Sequence, residues 1–137
     1  MRRALVVDSH TETVNLLRLA LSMHGFVIDV AAAADEGIKK FDDAYYDLVI
    51  TEVNLPKGSE YVVCEYIRKS DRPDTPVIAL SATPLDTSAT HFDKLILKPL
   101  SLQTLIDYVR HLSPTSKRFN PLGLYVLKVS KRQAGVF

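Results

Sequence analysis

The sequence predicts an α/β fold built on a parallel, doubly wound sheet, and three observations carry that expectation. Four short apolar runs, Ala4–Val7, Leu48–Thr51, Val77–Leu80 and Leu95–Leu97, lack polar alternation, as strands covered on both faces do. Segments of helical periodicity lie between them, so strands and helices alternate along the chain. Each run is followed at once by a chemically capable side chain: Asp8, Glu52, Ser81 and Lys98. In an open sheet of this kind ligands sit in the crevice at the carboxyl ends of the strands. Two carboxylates, a hydroxyl and an ammonium are therefore expected to share one pocket.

The elements follow in order. After the first strand, Ser9 or Thr11 is expected to cap a helix in which Val14, Leu17 and Leu21 recur on one face. Leu16, Leu19, Ala20 and Met23 broaden that face, and Gly25 ends the helix. Phe26–Val30 reads as the second strand and Ala34–Phe41 as a short helix weakened by Gly37. The third strand, Leu48–Thr51, runs into Asn54-Leu-Pro-Lys-Gly-Ser, a loop rich in turn formers. Glu60–Lys69 reads as the third helix, Asp71–Pro76 as a loop and Val77–Leu80 as the fourth strand. Residues 81–98 contain Pro84 and little helical periodicity, so a fourth helix there is expected to be shortened or missing. Leu95–Leu97 is a short fifth strand. Leu102, Leu105, Ile106, Val109 and Leu112 then mark one face of a last helix capped by Ser101.

At 137 residues, with 47% hydrophobic and 24% charged residues, the chain fits one globular domain and excludes wholesale disorder. No apolar run approaches the roughly 18 residues that span a bilayer, and no signal peptide is visible, so a cytoplasmic location is expected. Cys64 is the sole cysteine; an internal disulfide and a cysteine metal cluster are excluded, and Cys64 itself reads as core. No glycine-rich phosphate loop or nucleophile elbow is present. The net charge of +1 conceals an asymmetry. From Pro114 onward the chain carries five of its 17 basic residues and no acid, which leaves residues 1–113 with 12 basic and 16 acidic groups, or −4. The expected organisation is a domain over 1–113 and a basic tail over 114–137. In that tail Leu122-Gly-Leu-Tyr-Val-Leu-Lys-Val is strand-prone enough to dock on the domain or to pair with a second copy.

The order Asp8, Glu52, Ser81, Lys98-Pro99, with Asp47-Leu-Val-Ile-Thr-Glu-Val-Asn-Leu-Pro around the second acid, resembles the response-regulator receiver domain of two-component signalling over residues 3–112. The resemblance implies a flavodoxin-like (βα)5 sheet of strand order 2-1-3-4-5. It also implies a pocket in which paired acids and an acceptor Asp hold Mg²⁺ while the Lys and the hydroxyl bind the incoming phosphoryl oxygens. Against that pattern, Ser9 stands where a second acid is usual, and Glu52 stands at the acceptor position. Leu95 stands where a switch aromatic is usual, with Phe92 nearby at another offset. The region before Lys98 is shorter than in the family. The extra methylene moves the Glu52 carboxylate about 1.5 Å outward, and misplacement of about 1 Å can cost an in-line attack about 100-fold.

The expected function is therefore an atypical receiver that acts without phosphorylation, as a protein-interaction module and not an enzyme. Glu52 is expected within salt-bridge reach of Lys98. No cofactor is expected, beyond weak Mg²⁺ binding at Asp8, Glu52 and the Asn54 carbonyl. A histidine kinase or an effector is the expected kind of partner, with homodimerisation open. Two alternatives stand beside this reading: a working Mg²⁺-dependent phospho-receiver, and nucleic-acid binding through the basic tail, in which Phe119, Tyr125 and Phe137 are interleaved. His10, His24, His91 and His111 show no metal-ligand spacing and read as surface or capping residues.

Overall fold

The computed structural model describes residues 2–56, 61–85 and 91–112. Five strands, β1 (Arg2–Val7), β2 (Phe26–Ala31), β3 (Leu48–Glu52), β4 (Val77–Ser81) and β5 (Lys94–Leu97), form one sheet of order β2-β1-β3-β4-β5. Every neighbouring pair is parallel. Helices α1 (Thr11–Ser22), α2 (Ala34–Asp43), α3 (Val62–Arg68) and α4 (Leu102–Arg110) complete the described elements. No helix is described between β4 and β5; residues 86–90 of that connection, and the whole 114–137 tail, lie outside the described residues. No described helix is long and apolar enough to cross a membrane.

Alternate side chains of a strand point to opposite faces, and here both faces are covered, which is why the strands read as unbroken apolar runs. Ala4, Val6, Leu48, Ile50, Ile78, Leu80 and Ile96 pack against Val14, Leu17 and Leu21 of α1 and Leu105 and Val109 of α4. On the other face Leu5, Val7, Val49 and Val77 pack against Phe41 of α2 and Val63, Cys64 and Ile67 of α3. Burial pushes the Cys64 thiol up to about 12, as befits a core residue.

Three local expectations are corrected. Neither Ser9 nor Thr11 caps α1: the N-cap is His10, with no side-chain cap bond, because the Ser9 hydroxyl is engaged elsewhere. Helix α2 runs on to Asp43 despite Gly37. A Cβ at Gly37 would stand 2.8 Å from Val7 Cγ2, so the glycine lets the helix lie close on β1, and packing outweighs the ~1 kcal/mol that glycine costs a helix. The third helix starts at Val62 among the described residues and ends at Arg68. Ser101 does cap α4, accepting from the Thr104 amide at 3.2 Å, and Gly25 follows α1 at φ +85°, where a side chain is disfavoured.

Replacing Gly37 by Val is expected to lower unfolding free energy by about 2 kcal/mol through overpacking against the buried Val7, read as a reduced urea midpoint at unchanged m-value. A second expectation concerns acid stability. The Tyr46 hydroxyl donates to Asp29 Oδ2 at 2.7 Å and the Arg3 guanidinium sits 2.6 Å from the same oxygen. Together, the hydroxyl first, they hold the Asp29 carboxyl below its ordinary value of 3.8. A carboxylate depressed on folding stabilises above its unfolded pKa and loses that contribution as pH falls through the folded value. Tyr46→Phe should therefore be less stable than wild type at neutral pH, with the difference shrinking below about pH 4, as followed by urea unfolding across pH.

Candidate functional site

The strand order sets β1 beside β3, and their register pairs Val7 with Thr51. The next residues, Asp8 and Glu52, therefore emerge side by side at the carboxyl edge, both nearly buried at 2% and 8% exposure. On the far side of β4, Ser81 pairs with Leu97, and the Lys98 amide donates to the Ser81 carbonyl at 2.8 Å. Lys98 is thereby delivered to the same edge, its bond to Pro99 being cis.

Its ammonium lies 3.0 Å from Asp8 Oδ2 and 3.5 Å from Glu52 Oε1. Asp8 Oδ1 accepts from the His10 amide at 2.8 Å, and Glu52 Oε2 faces the Ser9 hydroxyl at 3.2 Å and the Ser9 amide at 3.4 Å. The two carboxylates are thus clamped from one side by the loop after β1 and bridged from the other by Lys98. Around them a cleft of about 500 Å³ is lined by Ser9–Thr13, Glu52, Ala82 and Lys98.

Asp8, Ser9, Glu52 and Lys98 are brought together. The Ser81 hydroxyl is not part of that cluster: it donates to the Thr83 carbonyl at 2.6 Å and accepts from the Thr83 amide at 3.1 Å, closing its own turn. Asn54 lies exposed in the loop after β3. Leu95 is half-buried in β5, opposite Ala79, and Phe92 stacks on Tyr61 at 6.0 Å between ring centres.

Sequence reasoning missed His10. Its Nδ1 stands 3.1 Å from Asp8 Oδ1, 3.2 Å from Glu52 Oε1 and 3.1 Å from Lys98 Nζ. The signal available was its place two residues after Asp8, at the start of a helix and hence beside the same edge. The donors make a poor match to Mg²⁺, which takes six oxygens in a tight octahedron. Here a nitrogen faces the carboxylates, the residue after Asp8 is a serine and an ammonium stands between the acids.

Five parallel strands in the order 2-1-3-4-5, with acids ending the first and third and a lysine following the fifth, define a doubly wound signalling-type α/β domain. The chain belongs to the response regulator receiver domain family, which it matches over residues 4–110. Receiver domains of this family serve two-component signalling, in which they work with histidine kinases and effectors. Among relatives, the chain is 30% identical to the probable transcriptional regulator ycf27 of Cyanophora paradoxa, covering 99% of this chain and 62% of that protein. It is 31% identical to the transcriptional regulatory protein ResD of Bacillus subtilis, over 80% of this chain and 47% of that one. The chain thus spans about half the length of such relatives. Among solved structures, the response regulator TrrA of Thermotoga maritima, in complex with Mg²⁺ and BeF, superposes with a TM-score of 0.74 at 34% identity, covering 82% of this chain and all of that one. The chemotaxis protein CheY4 of Vibrio cholerae shares the fold at the same TM-score and 20% identity, over 82% of this chain and 99% of that one.

Removing the lysine charge would leave two buried carboxylates facing each other, and breaking a buried pair in this way costs on the order of 3 kcal/mol. Lys98→Met is expected to lower stability by about that much, and adding Glu52→Gln should restore part of the loss, as measured by a double-mutant cycle in urea.

Proposed function

We propose that this chain is a receiver domain that signals without being phosphorylated, as a protein-interaction module whose charge arrangement is fixed by its own residues. The observation that carries this reading is the Lys98 ammonium lying within 3.5 Å of both Asp8 and Glu52. By the family pattern Glu52 stands at the acceptor position, where its longer side chain takes an anionic group toward the place of an added phosphoryl. The same lysine and the Ser9 donors engage it there. With Ser81 bonded within its own turn, the hydroxyl that would bind a phosphoryl oxygen is already used.

The module is the domain over residues 1–113, and its place in a two-component system implies a cytoplasmic site of action with a kinase or an effector as partner. Control would come from abundance or from partner binding. No observation on the described residues favours either a working phosphorylation cycle or nucleic-acid binding.

The test is intact-mass analysis after incubation with Mg²⁺ and acetyl phosphate or phosphoramidate. No adduct is expected on the wild type. An adduct on Glu52→Asp alone would show that the pocket survives and only the nucleophile was exchanged, whereas a wild-type adduct abolished by Glu52→Gln would overturn the reading.

A further inference from the structure

Helix α1 is apolar over more of its surface than the core consumes. Val14, Leu17, Ala20 and Leu21 face the sheet and are buried, yet Leu16, Leu19 and Met23 are 36%, 61% and 75% exposed. Spacings of three and four residues put those three on one line along the helix, on the side away from the core. The other exposed large apolar side chains among the described residues, Val27, Tyr45 and Leu97, stand singly on β2, on the loop after α2 and on β5. Scattered apolar groups at a surface are ordinary, but a contiguous line of them marks a face that something covers.

We propose that this line is covered by the chain's own basic tail, through the apolar segment Leu122–Val129. Residues 113–137 lie outside the described residues, and where they start, what they carry and how little they need to bury select them as the occupant. Helices α1 and α4 pack on the same face of the sheet and run against its strands. Met23, which leads into the start of β2, and Leu112, which packs on the same core cluster as α1, therefore stand at one edge. The nine residues from Ser113 to Pro121 reach about 30 Å when extended, against about 8–10 Å between the axes of neighbouring helices. Six of the eight residues from Leu122 to Val129 are apolar, and the tail's five basic groups, with no acid, meet a domain of net charge −4. Three side chains fall short of the roughly 800 Å² that each partner of a stable complex buries. A tethered segment, held at an effective concentration on the order of millimolar, needs much less.

The free edges of the sheet are poorer homes for such a segment. A strand reaching the outer side of β5 through α4, parallel to β5, would make a left-handed crossover, because α4 shares the face of α1 and not that of α3. Parallel crossovers are right-handed in about 98% of cases. Beyond β2, the Val30 carbonyl is already held by the Lys40 ammonium, a charged guard of the kind that blunts an edge strand. The line on α1 meets neither obstacle. Covered in this way, α1 is withheld from other proteins until the tail is displaced, so the interaction module carries a face guarded by its own chain. This goes beyond the proposed function and stands whether or not the domain is phosphorylated.

The test is paramagnetic broadening in the NMR spectrum of the full-length chain, with a nitroxide on Ser22→Cys beside the line; Cys64 is buried and stays unlabelled. The amides of residues 122–129 are expected to lose most of their intensity. A nitroxide on Lys39→Cys instead, on the helix that packs on the opposite face, should leave them unchanged. Adding Leu19→Asp, at an exposed position, to the Ser22-labelled chain should bring the tail signals back while those of the sheet stay in place. Tail signals indifferent to the Ser22 label, broadened equally by the Lys39 label, or unmoved by Leu19→Asp would overturn the assignment. So would the same broadening in a mixture of separately spin-labelled and isotope-labelled chains, which makes a second copy the occupant. None of these results bears on the phosphorylation assay, so the two readings fail separately.

Discussion

The register between β1 and β3 is the constraint on which the rest of the site depends. Because Val7 pairs with Thr51 in a parallel ladder, the residues that follow leave the sheet together, and two carboxylates are forced into proximity whatever their individual preferences. A slip of one residue would turn each strand's side chains to the opposite face and would unpack both cores at once. The apolar layers on the two faces therefore hold the acids in place. The chemistry at the edge is bought with hydrophobic packing several residues away.

Two buried acids side by side require a cation, and Lys98 supplies it from the far side of β4. Buried ion pairs seldom add net stability, because desolvating the charges offsets their attraction. What the pair contributes here is position. It ties the end of β5 to the ends of β1 and β3, across the region where β4 and β5 are joined without a described helix.

The sheet was legible because both of its faces are buried, so each strand appears as an uninterrupted apolar run with its functional residue at the end. Asp8, Glu52 and Lys98 could be placed together from that punctuation alone. His10 could not. In the sequence it is a polar residue before a helix, indistinguishable from a cap, and its role follows from the direction in which α1 leaves the sheet. Gly37 misled in the opposite sense: helix propensity is local, but its close approach to Val7 is tertiary. Ser81 was placed correctly at the end of β4, yet the direction of its hydroxyl is decided by the Thr83 backbone, two residues on, which no spacing rule reveals.

Ser9 and Glu52 are better understood as a matched pair than as two separate residues. Glu52 Oε2 lies 3.2 Å from the Ser9 hydroxyl and 3.4 Å from its amide. An acid at position 9, as the family pattern has, would turn that donor into a third negative group against a glutamate whose extra methylene already brings it closer. Repulsion between charges at such separations, about 4 kcal/mol at 4 Å near a protein surface, would work against the Glu52 carboxylate staying in the pocket. With serine there, the longer carboxylate is received by a hydroxyl and an amide on one side and by an ammonium on the other. Ser9 and Glu52 thus fit one another, the serine hydroxyl supplying the donor that the outer glutamate oxygen faces.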